Sequence, residues 1–206
     1  MVETINNIKL GIISLFRNNY FNQFHIREMA KLIGKSHVSL LPHLKSFEKD
    51  KILISKDVGK SKVYSLNLEN NQVREFLSLS EKKETLNLLN KEFLIKKIYD
   101  EFLNLNLNGC LVLFGSYASS THTKESDIDL LYIGELKESE RKKIKQFGKI
   151  YNKEIHLTSM NLKQFKEQLS KQGALIKEIV RNHIILYSHD IFISGVWRHY
   201  YERKER

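Results

Sequence analysis

Residues 113–131, LFGSYASSTHTKESDIDLL, constrain the fold more than any other part of the chain. The apolar run CLVLF stops at the pair Gly115-Ser116, and after a short polar loop a second apolar run begins with Asp127 and Asp129 on either side of Ile128. Side chains alternate across a strand, so the two aspartates share one face while Ile128 and Leu130 turn towards the core. A chain with this pattern must pair two buried strands and leave two carboxylates at one edge of the sheet.

Two carboxylates about 7 Å apart on one strand face repel each other unless a cation lies between them. A divalent metal is the natural counter-charge, and oxygen ligands together with a triphosphate suit Mg²⁺. The glycine at 115 allows a tight turn where a phosphate can approach the backbone. The following YASST can begin a helix whose free amides face that phosphate.

Composition sets the wider bounds. The formal net charge is +10 and hydrophobic residues make up 41%. Residues 1–70 hold 11 Lys/Arg against 6 Asp/Glu, and residues 107–206 hold 17 against 12. Both ends are therefore basic, a balance that suits polyanionic partners as well as a solvated lysine-rich surface. No apolar run approaches the roughly 18 residues of a membrane span, and the first residues lack the order of a signal peptide. A cytoplasmic protein with no membrane partner is expected. The single cysteine, Cys110, lies in an apolar run and reads as a small core residue.

The chain divides into three parts. In residues 1–70, Ile5, Ile8, Ile12, Leu15 and Phe16 predict a first helix, and HIREMAKLIG predicts a second closed by Gly34. Ser36 can cap a third, with Val38, Leu41, Leu44 and Phe47 as its apolar stripe. A hairpin with Gly59 at its bend follows. Residues 71–106 predict a helical connector, one helix or two with a break near Ser80, suited to joining domains and to forming a homodimer. Residues 107–206 predict a small mixed sheet with helices, so the class is α/β (α+β).

Three helices followed by a hairpin resemble a winged helix-turn-helix, and REMAKLIGKSHVSLLPHLKSFEKDKILISKDVGKSKVYSLN matches that family along its length. The resemblance implies DNA as a partner. The third helix would enter the major groove with Lys35, Ser36, His37, Ser39 and His43, and Lys60 and Lys62 of the wing would sit on backbone phosphate. A protein-interaction or dimerisation module is the other reading of such a domain. The helix is poor in Arg and has no Asn or Gln before Lys45, so strong base-edge readout is not evident.

The order G-S-x-A, short loop, S-D-I-D-L resembles the DNA polymerase β-like nucleotidyltransferase superfamily over roughly residues 108–160. That family adds a third carboxylate on a later strand, and Glu154 in IYNKEIHLTSM is the choice here. His156 shares its face and could assist or replace it. The resemblance implies that Asp127 and Asp129 hold Mg²⁺ (or Mn²⁺), with Glu154 on the catalytic ion. Gly115, Ser116 and Ser126 would bind an NTP, most plausibly ATP, and an acceptor hydroxyl on protein or RNA would attack its α phosphorus. Many small members read G-S-x-A-x-G, whereas this chain has Ser120 at the last position. Two functional readings follow: an active transferase, antitoxin-like in build, or a transcriptional regulator that senses nucleotide without turnover.

Overall fold

The computed structural model describes residues 5–59 and 61–204. They fall into two compact units, one of residues 5–59 and 61–80 with 200–204 and the other of residues 81–199.

The first unit begins with α1 (Asn7–Ser14), capped by Asn6, whose side chain accepts from the amides of Ile8 and Lys9. After β1 (Phe24–His25) come α2 (Ile26–Ile33), which ends at Gly34, and α3 (His37–Lys49). Strands β2 (Leu53–Val58) and β3 (Ser61–Leu66) form an antiparallel hairpin, and β1 adds to the free edge of β3. Ile12, Ile13, Phe16, Met29, Leu40, Leu44 and Phe47 are fully buried. The stripe of α3 is therefore Leu40, Leu44 and Phe47, not the expected Val38-Leu41-Leu44-Phe47 set. Val38 is 60% exposed and Leu41 40%. Both periods fit a 3.6-residue repeat, and the packing of α3 against α2 and β2 selects the one rotated by one residue. Ile5, expected on the stripe of α1, precedes the helix and is exposed.

Helix α4 (Gln72–Lys91) passes through Ser80 without interruption, and the break falls at Glu92, ahead of α5 (Phe93–Asn104). The residues that read as a new helix start are instead buried mid-helix. Ser80 is 0% and Glu81 1% exposed, and Glu81 Oε1 lies 3.2 Å from His183 Nε2. Capping chemistry read from local sequence was overridden by burial of a paired polar group.

The second unit is built on a four-stranded sheet in the order β6-β5-β4-β7. β4 (Gly109–Phe114) is buried along its whole length and runs antiparallel to β5 (Ile128–Gly134) and to β7 (Ile184–Tyr187); β5 runs parallel to β6 (Ile155–Met160). Between these strands lie α6 (Gly115–Ala118), α7 (Glu138–Ile150), α8 (Leu162–Lys171) and α9 (Ala174–Arg181). α10 (His189–Lys204) closes the described chain. The sheet is mixed, as expected, and the fold is mixed α/β. Leu111, Leu113, Ile128, Leu130 and Tyr132 join Ile95, Ile98, Phe102 and Ile144 in one apolar cluster. Cys110 is fully buried, and burial pushes its thiol well above the ordinary range, which suits an inert core residue. Among the described residues no helix is long and apolar enough to cross a membrane.

Candidate functional site

The end of β4 and the start of β5 meet where Phe114 pairs with Asp129. The chain turns immediately after Phe114 through Gly115, whose φ is +68°. A Cβ on Gly115 would lie 2.3 Å from Asp129 Oδ2, so the turn leaves room for that carboxylate only because the residue is glycine. The expected helix after Gly-Ser is a single turn, α6, and the chain then enters a loop.

Side-chain bonds hold this turn. Ser119 Oγ donates to the carbonyl oxygens of Gly115 and Ser116 at 3.1 and 3.2 Å, and the Thr121 amide donates to the Ser116 carbonyl at 3.0 Å. Ser120, the departure from the G-S-x-A-x-G pattern, has φ +56°. The serine thus adopts a left-handed backbone that glycine adopts freely, at a cost of roughly 1–2 kcal/mol.

Asp127 directly precedes β5 and Asp129 lies within it, flanked by Ile128 and Leu130, which are 0% and 1% exposed. The two aspartates face away from the core, as alternation requires. In the parallel pairing of β5 with β6, Ile128 stands opposite Ile155 and Asp129 opposite His156, and the Ile128 amide donates to the Glu154 carbonyl at 2.9 Å. Glu154 is thereby brought beside Asp127. His156 Nε2 is 3.3 Å from Glu154 Oε1 and 3.8 Å from Asp127 Oδ2, while its Nδ1 is 3.5 Å from Asp129 Oδ1. One ligand atom each from Asp127, Glu154 and His156 lies within 4.8 Å of the others. Asp127, Glu154 and His156 form a partly exposed donor set that fits a divalent cation, and the Asp129 carboxylate lies against the other nitrogen of the imidazole. The close approach of Asp129 to the glycine turn places the donors beside a backbone suited to a phosphate.

Ser126 orders the loop before Asp127 rather than reaching out of it: its Oγ accepts from the Thr123 amide at 2.8 Å. Three supports carry no local sequence signal. Lys153 Nζ donates to the Ser126 carbonyl at 2.9 Å and also to that of Lys124, tying the loop to the start of β6. Asn182, at the end of α9, donates from Nδ2 to the Gly115 carbonyl at 3.4 Å. The ring of His122 stacks on Tyr117 with centroids 4.1 Å apart, and its Nε2 lies 3.4 Å from Glu92 Oε2.

In the first unit, Lys35, Ser36 and His37 are exposed and Ser39 and His43 half-buried. Ser36 caps α3, accepting from the Ser39 amide at 3.2 Å, and Ser39 Oγ donates back to the Ser36 carbonyl at 2.7 Å, so both hydroxyls are engaged within the helix start. Lys62 Nζ is 3.2 Å from Glu48 Oε1, and that hydrogen bond raises the lysine pKa. Lys60 lies outside the described residues.

Residues 95–187 match the family model for a nucleotidyltransferase domain, a span that holds Gly115, Asp127, Asp129, Glu154 and His156. The match supports nucleotidyl transfer as the general activity. Among solved structures, a crystal structure of a toxin-antitoxin with AMP-PNP is similar at a TM-score of 0.37 and 16% identity, covering 52% of this chain and 86% of that one. No curated protein matches the sequence.

Proposed function

We propose that the protein is a divalent-metal-dependent nucleotidyltransferase that moves NMP, AMP by preference, from an NTP to a protein or RNA acceptor. The observation that carries this reading is the gathering of Asp127, Asp129 and Glu154 around His156 at the starts of two parallel strands, with Asp129 against the Gly115 turn. In this reading Asp127, Asp129 and Glu154 hold the cation, Mg²⁺ or Mn²⁺. When bound, the metal neutralises charge on the attacking and leaving oxygens and lowers the acceptor's pKa. The Gly115-Ser116 turn receives the β and γ phosphates, and Ser126 with Lys153 keeps the loop before Asp127 in place. The acceptor oxygen forms a bond to the α phosphorus as the α–β bridging bond breaks, pyrophosphate leaves with the electron pair, and Asp129 or Glu154 accepts the acceptor's proton. A concavity of about 420 Å³ beside Glu154, lined by Lys145, Lys149 and Lys153 among others, favours a polyanionic acceptor.

Residues 1–70 are assigned to a winged helix-turn-helix that binds DNA, with Lys35 and His37 the exposed groove candidates. Exposed Val38 and Leu41 on α3 favour the second reading of that unit, a protein-binding face. The sensor reading of the transferase unit is the alternative for the site itself, and the left-handed Ser120 weakens it because the turn keeps its path. The test is pyrophosphate release from each NTP with Mg²⁺ or Mn²⁺ and an RNA or lysate acceptor. Asp127→Ala with Asp129→Ala should abolish release while both units stay folded; release that survives in the double variant would refute the assignment.

A further inference from the structure

The residue paired with Asp129 across the β5–β6 register is His156, and its imidazole stands among the three carboxylates assigned to the metal. We propose that His156 is itself a metal ligand, so that the site takes its cation through one imidazole nitrogen beside the carboxylates of Asp127, Asp129 and Glu154 and prefers Mn²⁺ to Mg²⁺. The proposal rests on the transferase reading of the site and adds the identity of its metal.

The geometry comes from the sheet. Parallel pairing sets His156 beside Asp129 and Glu154 beside Asp127, and alternation turns 154 and 156 to the face that bears both aspartates. The ring then lies within 3.3 to 3.8 Å of all three carboxylates through its two nitrogens. Adjacent donors around a six-coordinate ion are roughly 3 Å apart when the metal–donor distance is about 2.1 Å. The separations of 3.3 Å from Glu154 and 3.8 Å from Asp127 approach that value, and rotation of the half-exposed side chains closes the difference.

The ligand type sets the preference. Mg²⁺ is a hard ion that takes oxygen and sheds water reluctantly, so a nitrogen in its shell is unfavourable. Imidazole suits first-row transition ions better than it suits Mg²⁺, and Mn²⁺ is the one among them that carboxylate oxygen also suits. A histidine at this position therefore weakens Mg²⁺ relative to Mn²⁺ without closing the site to nucleotide.

The experiment is Mn²⁺ binding to the full chain, followed by the loss of the free-ion EPR signal, with Mg²⁺ competition and pulsed EPR to detect directly coordinated ¹⁴N. Both are run with the metal alone and with a non-hydrolysable ATP analogue. Wild type should bind Mn²⁺ at least about tenfold tighter than Mg²⁺ and show the coupling of one imidazole nitrogen. His156→Asp should lose that coupling, keep Mn²⁺ binding and narrow the Mn²⁺/Mg²⁺ ratio by about tenfold, one 1.4 kcal/mol step. Should the aspartate variant fail to fold, His156→Gln, checked by circular dichroism, must lose the nitrogen coupling on its own. Absence of ¹⁴N coupling in wild type, its persistence in either folded variant, or no Mn²⁺ binding at all overturns the proposal. Coupling that is present in a protein that transfers no nucleotide would leave the ligand standing and defeat the transferase reading instead.

Discussion

Gly115→Ala separates what the glycine turn does for the fold from what it does for the site. The added Cβ meets a backbone at φ +68° and a carboxylate oxygen of Asp129 2.3 Å away. The left-handed backbone costs a non-glycine residue roughly 1–2 kcal/mol, offset by about 0.4–1 kcal/mol from reduced freedom of the unfolded chain. The carboxylate can swing aside, because the Asp129 side chain is 29% exposed. The net loss of stability should therefore be about 1 kcal/mol, a fall in Tm of roughly 2–5 °C for a unit of this size. On the proposed function the functional loss is larger: a displacement of about 1 Å in a carboxylate assigned to the metal is worth on the order of 10²-fold in rate. Urea unfolding and a transfer assay on the same preparations measure both. Gly59→Ala is the control, since Gly59 also has a positive φ, +62°, but nothing within 4 Å of the new Cβ. It should show a similar stability cost and full transfer. Transfer by Gly115→Ala within about threefold of wild type would refute the claim that the turn exists to admit Asp129.

Other outcomes follow from single contacts. Among the described residues the buried Tyr132 hydroxyl has no hydrogen-bond partner, so Tyr132→Phe should stabilise the protein by about 1 kcal/mol in thermal unfolding, whereas a loss of more than about 1 kcal/mol would reveal a missing partner. Burial pushes its phenol up to about 12, from the ordinary 10.0. The folded protein therefore holds that proton where the unfolded chain releases it, and stability should fall as pH rises from about 10 to 12 in wild type but less in the Phe variant. Leu44→Ala should cost about 2–5 kcal/mol in urea melts and Val38→Ser less than about 0.5 kcal/mol; equal losses would contradict the observed face of α3. In DNA titrations across salt, Lys35→Ala should reduce the log–log slope by about 0.9, and Lys62→Ala by less than half of that, because Glu48 already holds Lys62. Equal slopes would show that the pair opens on binding.

The parts legible in the sequence were those with a period or a turn signal of their own. The continuous apolar runs CLVLF and LLYI sufficed for two buried strands, alternation in DIDL for the shared face of Asp127 and Asp129, and Ser36 and Gly34 announced the ends of α3 and α2. The position of Glu154 was legible because Ile155 and Leu157, which follow it, take the opposite face by the same alternation. What stayed hidden depends on residues far apart in the chain. The continuity of α4 through Ser80 follows from Glu81 meeting His183 across a hundred residues. The choice between two helical stripes on α3 depends on its packing partners. The register that sets His156 beside Asp129, and the bonds from Lys153 and Asn182 to the loop and turn, exist only once β6 and α9 have been placed.

The central claim is that Asp127 and Asp129 support transfer of the α-phosphate nucleotide unit. It is tested most directly by incubating the protein with an acceptor pool and Mn²⁺ or Mg²⁺, using ATP labelled with ³²P at either the α or the γ position, beside the double-aspartate variant. Label on protein or RNA from the α position alone, absent with the variant, is the predicted result. Label from the γ position, or label from either position that persists without the two aspartates, would contradict it.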